Sequence, residues 1–120
     1  MAWAVKVTDE YAGWFTTLIK EDLSSATQVA QAVAALREEG PALGRPLVDR
    51  LKGAKIHHLK EPRPGSRGRS EIRIIFAFDP SRSALLLLGG DKAGSWQRWY
   101  RDNIPRAEQL YLDYTAENEE

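Results

Sequence analysis

Cysteine is absent from the 120 residues. Without thiols, neither a disulfide framework nor a thiolate zinc site can form. Histidine is nearly as scarce, and its only two copies, His57 and His58, are neighbours. Adjacent side chains on a strand point to opposite faces, so a two-histidine metal site is not expected, nor is any cofactor. No apolar run approaches the ~18–20 residues of a membrane span. The opening "MAWAVKVTDE" has neither the basic region nor the long apolar core of a secretory signal. A phosphate loop is missing as well, because the glycines of "GGDKAG" do not fit G-x-x-x-x-G-K-[ST]. These absences point to a soluble, cytoplasmic protein with no membrane partner. The length suits one domain over 1–120, frayed at its last few residues.

Net charge is also lacking, since 17 basic side chains balance 17 acidic ones. The balance is uneven along the chain: −3 over residues 1–44, +6 over 45–73, +2 over 74–106 and −5 over 107–120. A basic middle between acidic ends can form a patch for a polyanion. Overall neutrality argues against a general nucleic-acid coat, which would need many phosphate contacts. The positive charge peaks in "EPRPGSRGRSEIRIIFAFD" (Glu61–Asp79), where Arg63, Arg67, Arg69 and Arg73 run into one of the most apolar segments.

Hydrophobic spacing gives the elements. "WAVKV" (Trp3–Val7) alternates as a short strand. Thr8 reads as an N-cap, and Tyr11, Trp14, Phe15 and Leu18 recur as one face of a helix. A second helix is expected from Ser24 or Ser25 to Glu39, stopped by Gly40 and Pro41. "LGRPLVDRLKG" (Leu43–Gly53) reads as a loop with one short helical turn. "KIHHLKE" (Lys55–Glu61) reads as a strand that Pro62 confines to an edge or a bulge. "PGSRG" is turn chemistry. "EIRIIFAFD" is the clearest strand: Ile72, Ile74, Phe76 and Phe78 share one apolar face, and Arg73, Ile75 and Ala77 a mixed one. "ALLLLGG" reads as a buried central strand. Two helical pieces follow, Ser95–Tyr100 and one opened by Pro105 that carries Ala107, Leu110, Tyr111 and Tyr114. The expected fold is α+β, of order β-α-α-β-β-β-α-α. A mainly antiparallel twisted sheet carries two N-terminal helices on one face, with the C-terminal helices beyond.

A tryptophan-bearing first helix, "LGRPLVDRLKG", an arginine-ended strand, "EIRIIFAF", a leucine run, a "DK" turn and a tyrosine-bearing last helix occur here in order. In that order and spacing the chain, over residues 3–115, resembles the RelE/HigB superfamily of bacterial toxins, in particular its phage-derived HigB-like branch. The resemblance implies a small domain with a concave sheet face and the toxin of a type II toxin–antitoxin pair. It implies ribosome-dependent mRNA cleavage, in which a 2′-hydroxyl attacks the adjacent phosphate without a metal. Its implied partners are the ribosome, mRNA and a cognate antitoxin with a helix-turn-helix, through which alone DNA would be met. Two alternatives stay open: a ParE-like, non-nuclease poison of DNA gyrase, and an inactive member acting only as a regulatory binding partner.

Such cleavage needs cations on the phosphate, a base for the 2′-proton and an acid for the leaving oxygen. Arg73 is the first candidate, since it stands on the mixed face of the best strand and matches the arginine that the superfamily's nucleases carry there. An ion pair with Glu71 or Glu61 is its structural alternative. Arg63 offers a second fork, and Arg67 and Arg69 in the turn could steer RNA. In the resemblance a lysine-bearing strand matches Lys60 and Glu61, either of which could face the site. Glu61 could be a base or a clamp for the arginines, and His58 is the other candidate base. Lys92 matches a basic residue after the leucine strand. Tyr114 matches a C-terminal tyrosine that lies against the nucleotide, with core packing as its alternative. Trp96, Trp99 and Tyr100, beside Arg98 and Arg101, could stack on bases, pack inward or face the antitoxin.

Overall fold

The computed structural model describes residues 2–51, 56–63 and 70–117. A five-stranded sheet runs in the order β1-β5-β4-β3-β2, from β1 (Ala4–Val7), β2 (Val48–Arg50), β3 (Ile56–Lys60), β4 (Ile72–Asp79) and β5 (Ser83–Asp91). Only the β1–β5 pair is parallel; the other three pairings are antiparallel. Helices α1 (Asp9–Glu21) and α2 (Leu23–Glu39) come between β1 and β2, and α3 (Trp96–Glu117) closes the chain.

Local chemistry sets the helix ends. Thr8 caps α1 by accepting the Tyr11 N–H at 3.0 Å, and its hydroxyl donates to the Leu87 carbonyl at 2.6 Å, which ties the helix start to β5. Asp22 alone separates α1 from α2 and caps the second helix by accepting the Ser25 N–H at 3.1 Å. The second helix therefore starts slightly before the expected serines. Gly40 stops α2 at φ +56°, a left-handed conformation that glycine adopts freely, with the Trp3 indole against it.

Both faces of the sheet are covered. Tyr11, Val29, Ala32 and Leu36 of α1 and α2 pack on Leu59, Ile72, Ile74, Phe76, Ala84 and Leu86. On the other face Trp99, Tyr100, Ile104, Ala107 and Leu110 of α3 pack on Ile56, Ile75, Ala77, Leu85, Leu87 and Leu88. This explains why Ile75 and Ala77, on the mixed parity of β4, are fully buried. The register of β4 on β5 passes from Ile75↔Leu88 to Phe76↔Leu86, so Leu87 is an extra residue that reverses the facing of β5 beyond it.

Three expectations are corrected. The helical turn expected within Leu43–Gly53 is instead β2, whose Val48–Arg50 pair with His57–Leu59. Strand β3 is interior, held between β2 and β4, because Pro62 falls after its last residue and removes no ladder bond. The two C-terminal helices are one 22-residue helix that continues through Pro105. Pro105 and Arg101 are both exposed, so water can satisfy the carbonyl that loses its donor, while Ile104 and Ala107 anchor the helix to the sheet. The turn "PGSRG" lies outside the described residues.

Candidate active site

The register of three strands gathers the site. Arg73, at the start of β4, lies opposite Lys60 of β3 on one side and Gly90 of β5 on the other. His58 lies opposite Ile75, and Asp49 of β2 opposite His58. Cross-strand partners share a face, so Lys60, His58 and Arg73 all point toward α3. Gly90 leaves the space beside Arg73 open, and the Trp99 ring fills it so closely that a Cβ there would lie 2.5 Å from the indole nitrogen. Lys92 follows β5, its N–H donating to the Glu71 carbonyl at 3.1 Å.

Tyr100 joins these groups. Its hydroxyl lies 2.6 Å from His58 Nδ1 and feels the charge of Arg73. The Lys92 ammonium sits 5.8 Å from the centroid of the Tyr100 ring and 5.8 Å from that of Trp96. The Lys92 side chain is only 14% exposed and, among the described residues, forms an ion pair with Glu71 at 3.8 Å. Arg73 donates from Nη1 to the Ile72 carbonyl at 2.9 Å, while its Nε is buried with no partner among the described residues.

The electrostatics follow from that crowding. Burial, then the charges of Lys60 and Arg73, hold His58 down at about 4, with Asp49 opposing and Lys92 adding to the shift. Histidine is thus neutral here at physiological pH. Burial and then Arg73 also lower Lys92, Glu71 opposing and Lys60 adding. Burial raises the Tyr100 hydroxyl, which Arg73 partly offsets.

The remaining sequence candidates are placed elsewhere. Glu61 is 9% exposed and turned to the α2 side, where Oε1 accepts from the Ile72 N–H at 3.1 Å and from Ser70 Oγ at 2.9 Å. Ser70 in turn meets Ser25 of α2. Burial raises the Glu61 carboxyl despite those donors. Of the two residues left open by the sequence, Lys60 is therefore the one beside Arg73. Arg63 lies exposed beyond the end of β3, and Arg67 and Arg69 lie outside the described residues. His57 points to the opposite face from His58 and stacks on Phe76 with centroids 5.4 Å apart. Tyr114 is at the other end of β4, with the Lys6 ammonium 5.8 Å from its ring and Asp79 within hydrogen-bond reach. Tyr100 was only one of three clustered aromatics in the sequence. Its signal was helical spacing with Ile104, Ala107 and Tyr111, which shows only when the last two pieces are read as one helix.

Residues 18–112 match the family described as phage-derived protein Gp49-like. Two curated proteins of Mycobacterium tuberculosis are also similar. One, named putative toxin HigB3, is 48% identical over 94% of this chain and 94% of its own length. The chain belongs to the Gp49-like branch of the RelE/HigB toxin family. The other relative, named putative toxin HigB2, is 42% identical over the whole chain, which spans 58% of that protein's length. A double arginine mutant of the Escherichia coli toxin RelE, solved in the free state, superposes with a TM-score of 0.58 over 88% of this chain and 98% of its own. At 13% identity that likeness concerns the fold, which is the mixed α+β sheet of this family.

Proposed function

We propose that this toxin is a ribosome-dependent mRNA endoribonuclease that inhibits translation, paired with a helix-turn-helix antitoxin. The observation that supports it is the gathering of Lys60, Arg73 and Lys92 on one end of the sheet, where burial and then their mutual charge depress protonation of both Lys92 and His58. Like charges held together are complemented by an anion, and a phosphodiester fits three converging cations.

The three cations bind the non-bridging oxygens and stabilise charge developing on them. In the tautomer in which His58 donates Nδ1–H to the Tyr100 oxygen, Nε2 carries the lone pair that takes the 2′-proton. The 2′-oxygen bonds to phosphorus as the P–O5′ bond breaks. Lys92, whose proton is loosened by burial and its neighbours, protonates the leaving oxygen. The products are a 2′,3′-cyclic phosphate and a 5′-hydroxyl. Arg63, Arg67 and Arg69 serve as steering charge, and the buried Glu61 holds the start of β4 in place.

Mapping 5′ ends on messages in translating ribosomes tests this. Cuts should fall within codons, drop by about 10²-fold or more in Arg73→Ala, and recover in part in Arg73→Lys. An uncut message together with inhibited gyrase would overturn the nuclease reading.

A further inference from the structure

Trp96 is 54% exposed at the first position of α3, although the helix elsewhere turns its aromatic side chains to the sheet. It continues the inward stripe of Trp99, Tyr100, Ile104 and Ala107 by one helical turn, at the i−3 and i−4 positions of the first two. Among the described residues, no buried core cluster includes it. The stripe has run past the leucines of β5, and the group against the ring is the Lys92 ammonium, 5.8 Å from its centroid. That same ammonium lies 5.8 Å from the Tyr100 ring in the site. One cation therefore links the exposed indole to the phosphate-binding groups.

The surroundings are also shaped and charged. A cavity of about 290 Å³ lies beside the indole, lined by Gly94, Ser95, Trp96, Gln97, Arg98 and Arg101. Gly94, at φ +78°, makes the turn that brings this rim to the end of β5. Arg98 is paired only at 4.0 Å with Asp102, and both arginines are exposed. An open aromatic face with cations around it matches a nucleotide, whose base stacks while its phosphate pairs. An apolar protein segment would leave those charges uncompensated.

We propose that Trp96 is a stacking platform for the nucleobase next to the phosphate held by Arg73, Lys60 and Lys92. This subsite rests on the nuclease reading. It takes single-stranded RNA, because a base in a duplex offers no free face. Every base has such a face, so the platform adds affinity with little sequence preference.

The test titrates a cleavage-blocked, 2′-O-methylated RNA hexamer and an abasic copy of it against the full chain at low salt, following the Trp96 indole N–H resonance and, in the variants, the backbone amides. Trp96→Ala should weaken binding of the intact hexamer by roughly 5- to 150-fold, the range for one stacked base. Trp96→Phe should retain most of the affinity. The abasic RNA should bind wild type as weakly as the intact RNA binds Trp96→Ala, and the alanine variant should not distinguish the two. Thermal melting should be near wild type, because the side chain is exposed. If Trp96→Ala binds intact RNA normally while Arg73→Ala does not, the platform is overturned and the nuclease reading stands. Loss of antitoxin binding with RNA binding unchanged overturns it too, assigning Trp96 to a protein interface. If wild type binds no RNA at millimolar concentration, the platform is overturned, while cleavage mapped on translating ribosomes decides the nuclease reading separately.

Discussion

Arg73 was singled out by its parity together with its match to the superfamily's arginine, since a guanidinium on a strand between buried neighbours requires a ligand or a partner. His58 was harder to read, because its chemistry depends on three cations brought in from β3, β4 and the end of β5. Its value of about 4 lies below the ordinary 6.5, so the folded state disfavours the proton that the unfolded chain accepts. Stability tied to His58 is therefore complete above pH 6.5 and is lost as pH falls toward 4. The loss should be ~2 kcal/mol after allowance for partial exposure. Urea unfolding of wild type and His58→Gln across that window should show the variant with the shallower acid limb. Equal limbs would mean that His58 is protonated as readily in the folded protein as in the unfolded chain. Glu61 and Lys60 could not be told apart in sequence, since each is a charged residue at a strand end. Pairing with Arg73 decided for Lys60, and the Ile72 N–H decided the place of Glu61.

The strongly periodic elements were legible: α1, α2, β4 and β5 all lie close to where spacing put them. Strand β2 was missed because three residues of "VDR" carry no alternation, and pairing with β3 alone makes them a strand. Helix α3 was divided at Pro105 because local propensity cannot see the sheet that holds the helix on both sides of the proline. The extra Leu87 is invisible in a run of leucines, yet it determines that Gly90, and not Gly89, lies under Trp99. A methyl group at Gly90 would meet that indole and push the start of α3 away. Gly90→Ala should therefore keep the fold but move Tyr100 from His58, lowering cleavage by about 10²-fold. Single-turnover cleavage and the His58 ring resonances would measure it, and full activity with the ring unmoved would refute it.

Across the whole molecule, charge is separated in space as well as along the chain. Lys60, Arg73 and Lys92 sit near the start of α3, whereas Asp9, Glu10, Asp113 and Glu117 line a groove near its end. A 22-residue helix spans about 33 Å, so the neutral protein carries a lengthwise asymmetry able to orient an approaching polyanion. Few phosphates can be neutralised at once. The logarithm of the affinity for single-stranded RNA should thus fall with log salt at a slope of only about −1 to −2, near −0.7 per phosphate. Equilibrium titrations between 50 and 200 mM salt test this at about the range where steeper binders diverge. A slope near −5 would show that RNA runs over much more of the surface.

Composition alone, through the missing cysteine and the paired histidines, left arginine and lysine as the chemistry available for a phosphate. Periodicity then determined the helices that cover one face and the strand that carries Arg73, because burial of a stripe is a local property of the chain. Which groups meet Arg73 was decided only by the tertiary structure. Register, the extra residue in β5 and the uninterrupted α3 bring together side chains from positions 58 to 100, and no local spacing encodes contacts between separate strands.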